Sequence, residues 1–450
     1  MASATALLLG LTLLQAGPPA QDLLLQPPPA RAPLRQDSLP QVTLAEALER
    51  ATRLDPNYVA ASRQVEDAEW SRRAAITTFI VPSVSAQISG TRFTEEQFNI
   101  GTGQASAQIV DARIQGRLNL FQGLSKIREF ERANAALEGA HAGELEARYV
   151  AALFTESDFF DVLAQRELTR VARERTERVA EQFAVARSRV LTGAAVQTDS
   201  LQLLLELQSA QVELIRQEAR LKVARFQLGR RVGETGPVDA VALPLLTDRD
   251  LPLSQEEAVR EAIETSPSIL AARADERAAS AAVSVQKGSY LPTSDLVGQY
   301  SAFDQSFFPT AITRGSLRLV FSLQLWNDGV LEIAVSRSTS AQRVASAVRD
   351  DLERGLRRDV VEAYEAYDAS RAALDLAESS VLVAEENLRV QQERYRAGAT
   401  TILDLLTADG SLSEAQAGLV QAQFTTRLAL TGLEAILGRR LFGATEPGGQ

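Results

Sequence analysis

The sequence predicts a mainly helical chain with a smaller membrane-embedded β part, built from two copies of one unit. Three observations favour this fold class. Landmarks recur in the same order in both halves, two stretches in each half alternate between apolar and polar residues, and one long stretch in each half contains no proline and almost no glycine. These patterns are typical of a duplication, of half-buried strands and of long helices, respectively.

The duplication rests on several matched landmarks rather than on one motif. The tetrapeptide LGRR occurs at Leu228–Arg231 and again at Leu437–Arg440, and the segment LTGAAVQTD in the first half matches RAGATTILD in the second. Because the offset between matched landmarks stays nearly constant, we infer two repeats of roughly 200 residues each. We place repeat 1 at 43–240 and repeat 2 at 241–450.

The N-terminal segment, residues 1–20, has the pattern of a secretion signal peptide. Its apolar run Ala6–Leu14 is too short to cross a bilayer and has the length of a signal-peptide core. Residues 21–42 are proline-rich and predict an extended linker without a core of its own. No other segment is apolar over the length that a membrane-spanning helix needs.

Composition excludes several classes of function. The net charge of −11 argues against nucleic acid as a partner, since phosphate binding needs clustered basic residues. The chain has no cysteine, and its only histidine, His141, lies in a polar helical stretch. Neither a phosphate-binding glycine loop nor a His-Glu-x-x-His zinc motif is present. We therefore expect no enzyme activity, no catalytic residue, no metal and no cofactor.

Each repeat opens with two helix-start signatures. Thr43–Glu46 and Ser254–Glu257 fit the capping box, in which a hydroxyl and a carboxylate satisfy free backbone N–H groups. A second start follows at Asp55-Pro56 and at Ser266-Pro267, where a capping side chain precedes a proline at the first helical position. The sequence therefore predicts two consecutive helices at the start of each repeat.

After Pro82 and Pro292 the pattern changes to a period of two, which predicts one β-hairpin at 83–121 and another at 293–326. Each hairpin has an apolar face and a polar face. The apolar series are Val84, Ala86, Ile88 and Gly90; Ala112, Ile114, Gly116, Leu118 and Leu120; Leu296, Gly298 and Tyr300; and Leu317, Leu319, Phe321, Leu323 and Leu325.

An ordinary soluble core is one explanation for these apolar faces, and a lipid bilayer is the other. The stretches run for about 9–14 residues, the length of a tilted strand that crosses a bilayer, whereas soluble strands average about 5–6 residues. Phe121 and Trp326 end their stretches, as expected for aromatic residues at a membrane–water interface. The pattern favours membrane strands, with the leucines of the last strand facing lipid and Arg318 and Gln324 facing the lumen.

A long helix follows each hairpin, from Leu124 to about Leu191 and from Val330 to about Ala397. At 1.5 Å per residue each helix is roughly 100 Å long. Gly193 and Gly398 then supply the left-handed conformation that ends a helix and turns the chain. Heptad spacing, typical of coiled coils, is clearest in Leu374, Val381, Leu388 and Tyr395, and it resumes in Leu405, Leu412, Leu419 and Leu433.

Four amphipathic strands cannot close a membrane barrel, because the smallest barrels have about 8 strands. An open sheet edge in lipid leaves backbone groups unpaired, so several chains must contribute to one barrel. Long helices that continue from the same strands form a tube below that barrel. The predicted product is a long hollow conduit.

Over essentially all of Thr43–Leu441 the chain resembles the TolC-like outer membrane efflux protein family. The resemblance is carried by the duplicated layout, by the Asp-Pro and Ser-Pro helix starts, and by Pro82 and Pro292 at the helix-to-strand junctions. It is also carried by LNLFQG and LQLWNDG, which place Gly123 and Gly329 at the strand-to-helix junctions. The long turn RYRAGATTILDLLTA and the closing LGRR complete the match.

The resemblance implies a homotrimer in which four strands per chain form a shared twelve-stranded barrel in the outer membrane, continuous with a helical barrel in the periplasm. It implies a passive, gated exit duct of a tripartite efflux pump or a type I secretion system. An inner-membrane transporter and a periplasmic adaptor protein are the implied partners, with the turns at Gly193 and Gly398 as adaptor contacts. A soluble or peripheral coiled-coil scaffold is the alternative function. The sequence identifies neither the cargo nor the transporter class.

The resemblance also implies a gate at the helix turns. The family has an aspartate six residues beyond each turn glycine, here Asp199 and Asp404, and a tyrosine three residues before the second glycine, here Tyr395. This chain departs from well-known members at two positions. Thr407 stands where they carry another aspartate, and Thr400 stands where they carry a gate arginine.

Arg394 and Arg396 are the candidate replacements for that arginine. Each gate position also has a purely structural explanation, since Thr401–Asp404 fits a capping box and Tyr395 continues a heptad row. The joint match of the three residues favours the gate.

Overall fold

The computed structural model describes residues 39–99, 103–242, 250–304 and 312–442. The signal peptide expected at 1–20 lies outside the described residues, and so does the expected linker up to residue 38.

Both halves of the chain contain the same order of elements: a short strand, two helices, two long strands, a very long helix and a shorter helix. The first half consists of β1 (Gln41–Val42), α1 (Leu44–Leu54), α2 (Pro56–Ile80), β2 (Ser83–Asn99), β3 (Gln104–Gln122), α3 (Ser125–Leu191) and α4 (Gln197–Arg231). The second half consists of β4 (Asp239–Ala240), α5 (Gln255–Thr265), α6 (Pro267–Gly288), β5 (Thr293–Asp304), β6 (Ile312–Ser322), α7 (Val330–Arg396) and α8 (Ile402–Leu437). The expected fold class, mainly helical with a β part and long helices, is confirmed.

The helix starts differ in their caps. Ser254 and Glu257 form a complete capping box at the start of α5. At α1 only half of the box forms, because Glu46 pairs with Arg50 instead of returning to the backbone of Thr43. Asp55 caps α2 as expected, through bonds from two backbone N–H groups, whereas Ser266 makes no capping bond to α6. The prolines at the first helical position are present at both second starts.

The four long strands form one antiparallel sheet in the order β2-β3-β5-β6. The two hairpins are therefore joined through β3 and β5, and β2 and β6 are the edges. The second hairpin, expected to extend to 326, is shorter, since β6 ends at Ser322 and residues 323–327 have no regular structure. The apolar alternation continues there through Leu323 and Leu325, but without strand pairing.

The helices α3 and α7 each contain 67 residues, which makes each roughly 100 Å long. Each turns back through a glycine with positive φ, +74° at Gly193 and +73° at Gly398. The returning helices α4 and α8 pack along α3 and α7 to form two helical hairpins. Within these hairpins the expected heptad residues Leu374, Leu388 and Tyr395 are buried, together with Leu405, Leu412 and Leu433.

The two LGRR segments end the returning helices and attach both of them to one part of α3. Arg231 pairs with Asp158 of α3 at 2.8 Å. Arg440 pairs with Glu156, which precedes Asp158 by two residues on α3, and with Glu434 at 2.7 Å. Two apolar clusters lie beside these ion pairs, one around Phe159 and Leu228 and the other around Ile269 and Leu437. Arg440 of the second LGRR therefore attaches the second half to the first, whereas Arg231 of the first LGRR closes the helical hairpin of its own half.

Candidate functional site

The apolar series predicted for the four strands lie on one face of the sheet where the strands are regularly paired. Residues that are paired directly across neighbouring strands point to the same side, so the register assigns the faces. Two apolar rows run across the sheet: Ala86, Ile114, Tyr300 and Gly315, and below it Val84, Gly116, Gly298 and Leu317. The polar face carries a row formed by Ser85, Gln115, Gln299 and Ser316.

The apolar face has no covering layer. Leu317 is 73% exposed and Val84 is 70% exposed. A sheet of a soluble domain packs its apolar face against a core. An apolar face without a covering layer over four strands is instead suited to lipid.

An aromatic row borders this face at the helical end of the sheet. A β-bulge between Asn119 and Phe121 shifts the register of β3, so that Phe121 pairs with Ser294, which in turn pairs with Phe321. Phe121 therefore lies on the apolar face, whereas a strict alternation along β3 would place it on the polar face. Both phenyl rings are exposed, as expected for a membrane–water interface.

The junctions between sheet and long helices need glycine. Gly123 has a φ of +57°, and a Cβ atom there would lie 1.9 Å from the carbonyl oxygen of Gly288. Gly329, at the matching junction, has a φ of +78° and no atom within 4 Å of the Cβ position. Pro82 and Pro292 lie directly before β2 and β5, where their missing N–H groups interrupt no strand pairing.

Lys126 fastens the first junction. Its Nζ donates to the carbonyl oxygen of Thr78 at 2.8 Å, in the last turn of α2, and to the carbonyl oxygen of Asn119. Burial lowers the pKa of this amine, and the charge of Asp295 opposes that shift. The ammonium therefore holds α2, β3 and α3 together where the strands give way to helices.

At the far end of the long helices, the structure brings Tyr395 and Asp199 close together. Tyr395 is 6% exposed and belongs to an apolar cluster that also contains Phe183, Leu203 and Leu405. Its hydroxyl is buried and makes no hydrogen bond within the described part of the chain. Burial raises the pKa of the phenol, the charge of Asp199 raises it further, and the charge of Arg189 opposes this.

Arg189, in the last turn of α3, makes the contacts to Tyr395 that the sequence did not indicate. Its Nη1 donates to the carbonyl oxygen of Tyr395 at 2.6 Å, and its guanidinium lies 5.0 Å from the ring centre. The candidate replacements make other bonds: Arg396 pairs with Glu393, and Nη2 of Arg394 donates to the carbonyl oxygen of Ala399. The one sequence feature near Arg189 that could have indicated its position at the helix turn is Gly193, four residues later.

Asp404 is exposed in the first turn of α8 and caps that helix. It accepts hydrogen bonds from the hydroxyls of Thr401 at 2.7 Å and Thr400 at 2.9 Å, and from the backbone N–H of Thr401. These bonds hold the pKa of the carboxyl below its usual range, and the charge of Arg394 adds to the effect. The capping box of Thr401 and Asp404, proposed as the structural explanation, is present, and the hydroxyl of Thr400 adds a further hydrogen bond to the same carboxylate.

A second arginine contact links the two helical hairpins above the turns. Asp409 of α8 is 1% exposed and accepts from Nε of Arg178, on α3, at 3.1 Å. Arg175 lies 3.6 Å away and pairs with Glu206 of α4 at 2.5 Å. Sequence reasoning missed this cluster, since an Asp inside a heptad pattern does not reveal which neighbouring helix it faces.

No helix within the described ranges combines the length and the apolar character needed to cross a membrane.

A sheet that exposes its apolar face and continues into helices of roughly 100 Å defines a class of protein, a membrane β protein with a long helical extension. Comparisons with known proteins point to one family. The family model described as outer membrane efflux protein matches residues 258–439. The cobalt-zinc-cadmium resistance protein CzcC of Cupriavidus metallidurans is 26% identical over 403 residues, which cover 88% of this chain and 90% of that protein. TolC of Escherichia coli is 23% identical over a region that covers 43% of this chain and 41% of the TolC chain.

Solved structures show the same fold. The outer membrane protein VceC of Vibrio cholerae superposes with a TM-score of 0.76 at 18% identity, covering 89% of this chain and 97% of its own. The open-state MtrE outer membrane channel of Neisseria gonorrhoeae gives a TM-score of 0.72 at 19% identity, covering 88% and 89%. Residues 258–439 therefore match the outer membrane efflux protein family, and the chain as a whole has the fold of solved outer membrane channels, as expected for a TolC-like outer-membrane efflux channel with a periplasmic extension.

Proposed function

We propose that this chain forms a homotrimer in which three four-stranded sheets close one twelve-stranded barrel and the helical hairpins form the wall of a periplasmic tube. The observation that carries the proposal is the exposed apolar face on a sheet with two open edges, β2 and β6. Unpaired edge groups in hydrocarbon are too costly to persist, so another chain must pair with them. A soluble scaffold would leave the same face in water.

The strand directions support closure by identical chains. Neighbouring strands alternate in direction across the sheet, so β2 and β6 run in opposite directions. When β6 of one chain meets β2 of the next, the pair is therefore antiparallel, like every other pair in the sheet. A ring of copies continues the same pattern without a break.

The assembly is tested by mass and by cross-linking. Light scattering in mild detergent should give three chains per particle. Because the chain has no cysteine, only the introduced cysteines can form a disulfide bond. Ser316→Cys on β6, combined in turn with Ser83→Cys, Ser85→Cys, Gln87→Cys and Ser89→Cys on the same face of β2, should yield cross-linked chains at one or two of the four positions. A monomer in detergent and no cross-link at any position would refute the trimer.

We further propose that Asp199, Tyr395 and Asp404 take part in a gate at the helix turns, together with Arg189. Three copies of Asp404 around one axis would repel one another, and the closed state then needs compensating bonds. The buried phenol of Tyr395 has an unused donor beside Asp199. A hydrogen bond to a charged group contributes about 1.5–3 kcal/mol. Three such bonds per trimer can keep the entrance closed and still be broken when a partner binds.

The partners proposed for this chain are a periplasmic adaptor protein and an inner-membrane transporter. The turns at Gly193 and Gly398 lie at the ends of both helical hairpins, where a partner from the opposite membrane would first arrive. The matching experiment is co-purification with an adaptor, with residues 192–195 and 397–400 replaced by a Gly-Ser sequence as the variant. Undiminished co-purification of that variant would place the contact elsewhere.

A further inference from the structure

We propose that the polar face of the sheet is an anion-binding section of the channel, formed by Arg113, Arg117, Arg314 and Arg318, and that it takes solutes with several phosphate or carboxylate groups. The inference rests on the proposed trimer, since only a closed barrel makes this face a lumen wall. It concerns the β part alone and is separate from the gate.

The four arginines form two tiers across the sheet. Arg113 pairs with Ser301, which pairs with Arg314, and four residues further along Arg117 pairs with Val297, which pairs with Arg318. Two strand spacings separate the arginines within a tier by about 10 Å, and four residues separate the tiers by about 13 Å. On β5, Ser301 and Val297 lie between the arginines of the two tiers, and both are buried.

The space between the tiers is lined by neutral hydrogen-bonding groups. Gln115, Gln299 and Ser316 form the row that lies between them. Amides and hydroxyls donate to oxyanions without carrying a charge. The result is a rectangle of backbone positions with an arginine at each corner and hydrogen-bonding side chains between them.

Most of these arginines lack an acidic partner. Within the described ranges only Arg113 makes an ion pair, with Asp111 at 3.6 Å. Asp295, the other acid on this face of the regularly paired strands, accepts from Nδ2 of Asn119 at 3.0 Å instead. Arg117, Arg314 and Arg318 are exposed and form no ion pair with any described carboxylate.

The sign of this charge runs against the rest of the chain. The whole protein carries a net charge of −11, yet this face holds four arginines and two aspartates. Arginine presents a planar fork of donors that matches phosphate and carboxylate oxygens, often in pairs of bonds. Three chains would place twelve guanidinium groups around one lumen, so that a multivalent oxyanion can contact several at once.

The test uses inorganic tripolyphosphate and single channels in planar bilayers. Added on the barrel side, tripolyphosphate should block the parent channel. The triple variant Arg117→Gln, Arg314→Gln, Arg318→Gln should need at least a tenfold higher concentration for half-block. A control triple variant, Arg72→Gln, Arg220→Gln, Arg230→Gln, removes the same charge from exposed positions on the helices and should behave like the parent.

Equal half-block concentrations for the parent and the strand triple variant would overturn the proposal. If that variant fails to assemble, Arg318→Gln alone should give a smaller rise in the half-block concentration, and no rise would overturn the proposal equally. Failure of the proposed trimer is distinguishable, because the parent itself would then show neither a trimer mass in detergent nor channel openings before any anion is added.

Discussion

Arg189 of α3 donates a 2.6 Å hydrogen bond to the backbone carbonyl oxygen of Tyr395 at the end of α7, and its guanidinium lies 5.0 Å from the centre of the Tyr395 ring. These two contacts join the ends of the two longest helices, which belong to different halves of the chain. A cation interacts favourably with a backbone carbonyl oxygen at the C-terminal end of a helix, because the negative end of the helix dipole lies there. We therefore treat Arg189 as a positioning residue of the proposed gate.

Arg189→Ala should raise the single-channel conductance of the closed channel in planar bilayers. The hydrogen bond to a charged donor contributes about 1.5–3 kcal/mol per chain, and the cation–π contact adds about 0.5–1 kcal/mol. Arg396→Ala is the matched control, because Arg396 pairs only with its helix neighbour Glu393 among the described residues and should leave conductance unchanged. If both variants conduct like the parent, Arg189 only packs against Tyr395.

Tyr395→Phe combined with Asp199→Ala should also raise conductance, since it removes the buried donor and the acid beside it while keeping the ring. Tyr395→Phe alone separates two possibilities. An increase with this single change would mean that the hydroxyl finds an acceptor in the assembled trimer. An unchanged double variant would leave Tyr395 as a packing residue and Asp199 as an ordinary acid in a first helical turn.

The charge of Asp404 should persist to low pH. Its pKa lies below the usual value of about 3.9, because the hydroxyls of Thr401 and Thr400 and a backbone N–H donate to it. A carboxyl with a depressed pKa stays charged above that value and loses its charge only as the pH falls through it. Block by hexaamminecobalt(III) from the helix-turn side should therefore persist at pH 5 and still at about pH 4, and be lost only as the pH falls through the depressed pKa.

Asp404→Asn should weaken that block and the cation selectivity at neutral pH. If the block of the parent is already half lost near pH 6, repulsion among the three carboxylates outweighs the capping bonds. If Asp404→Asn leaves the block unchanged, Asp404 acts only as a helix cap.

The strand register gives a pair of neighbouring substitutions with opposite outcomes. Leu317→Arg places a charge on the lipid face near the middle of β6, at a cost of about 2–4 kcal/mol per chain. Ser316→Arg places the same side chain on the polar face. Assembled protein in the outer membrane should fall for Leu317→Arg, and likewise for Leu319→Arg, but stay near the parent amount for Ser316→Arg. Equal amounts for both faces would contradict the register.

Three glycine substitutions at the two strand-to-helix junctions separate strain from crowding. Gly329→Ala meets no atom and adds only the strain of a positive φ, about 1–2 kcal/mol. Gly123→Ala adds that strain and a Cβ 1.9 Å from a backbone oxygen, and Gly288→Ala adds a Cβ 2.4 Å from Oγ of Ser125 without a positive φ. Thermal unfolding should therefore show the smallest loss for Gly329→Ala. A Gly123→Ala variant as stable as Gly329→Ala would show that the junction can open without cost.

The sequence predicted the repeats of this architecture well, because duplication and long periodic stretches are local or near-local signals. It failed where a contact joins distant segments. Arg189 and Tyr395 are 206 positions apart, so nothing near either residue indicates the pair. Strand limits failed for another reason, since the alternation through Leu323 and Leu325 continues past the last paired residue, Ser322. The bulge before Phe121 also has no sequence signal, and it reverses the face that simple alternation assigns.

Because α3 and α7 have the same number of residues and start from the same end of one sheet, both helix turns lie at the same depth below the membrane. An insertion or deletion in one of the two long helices therefore needs a matching change in the other. Removing seven residues from α3 alone would raise its turn by about 10 Å relative to the other. It would separate Arg189 from Tyr395 and leave an uneven rim for any partner. A longer or shorter version of this chain would need equal changes in both long helices and in both returning helices.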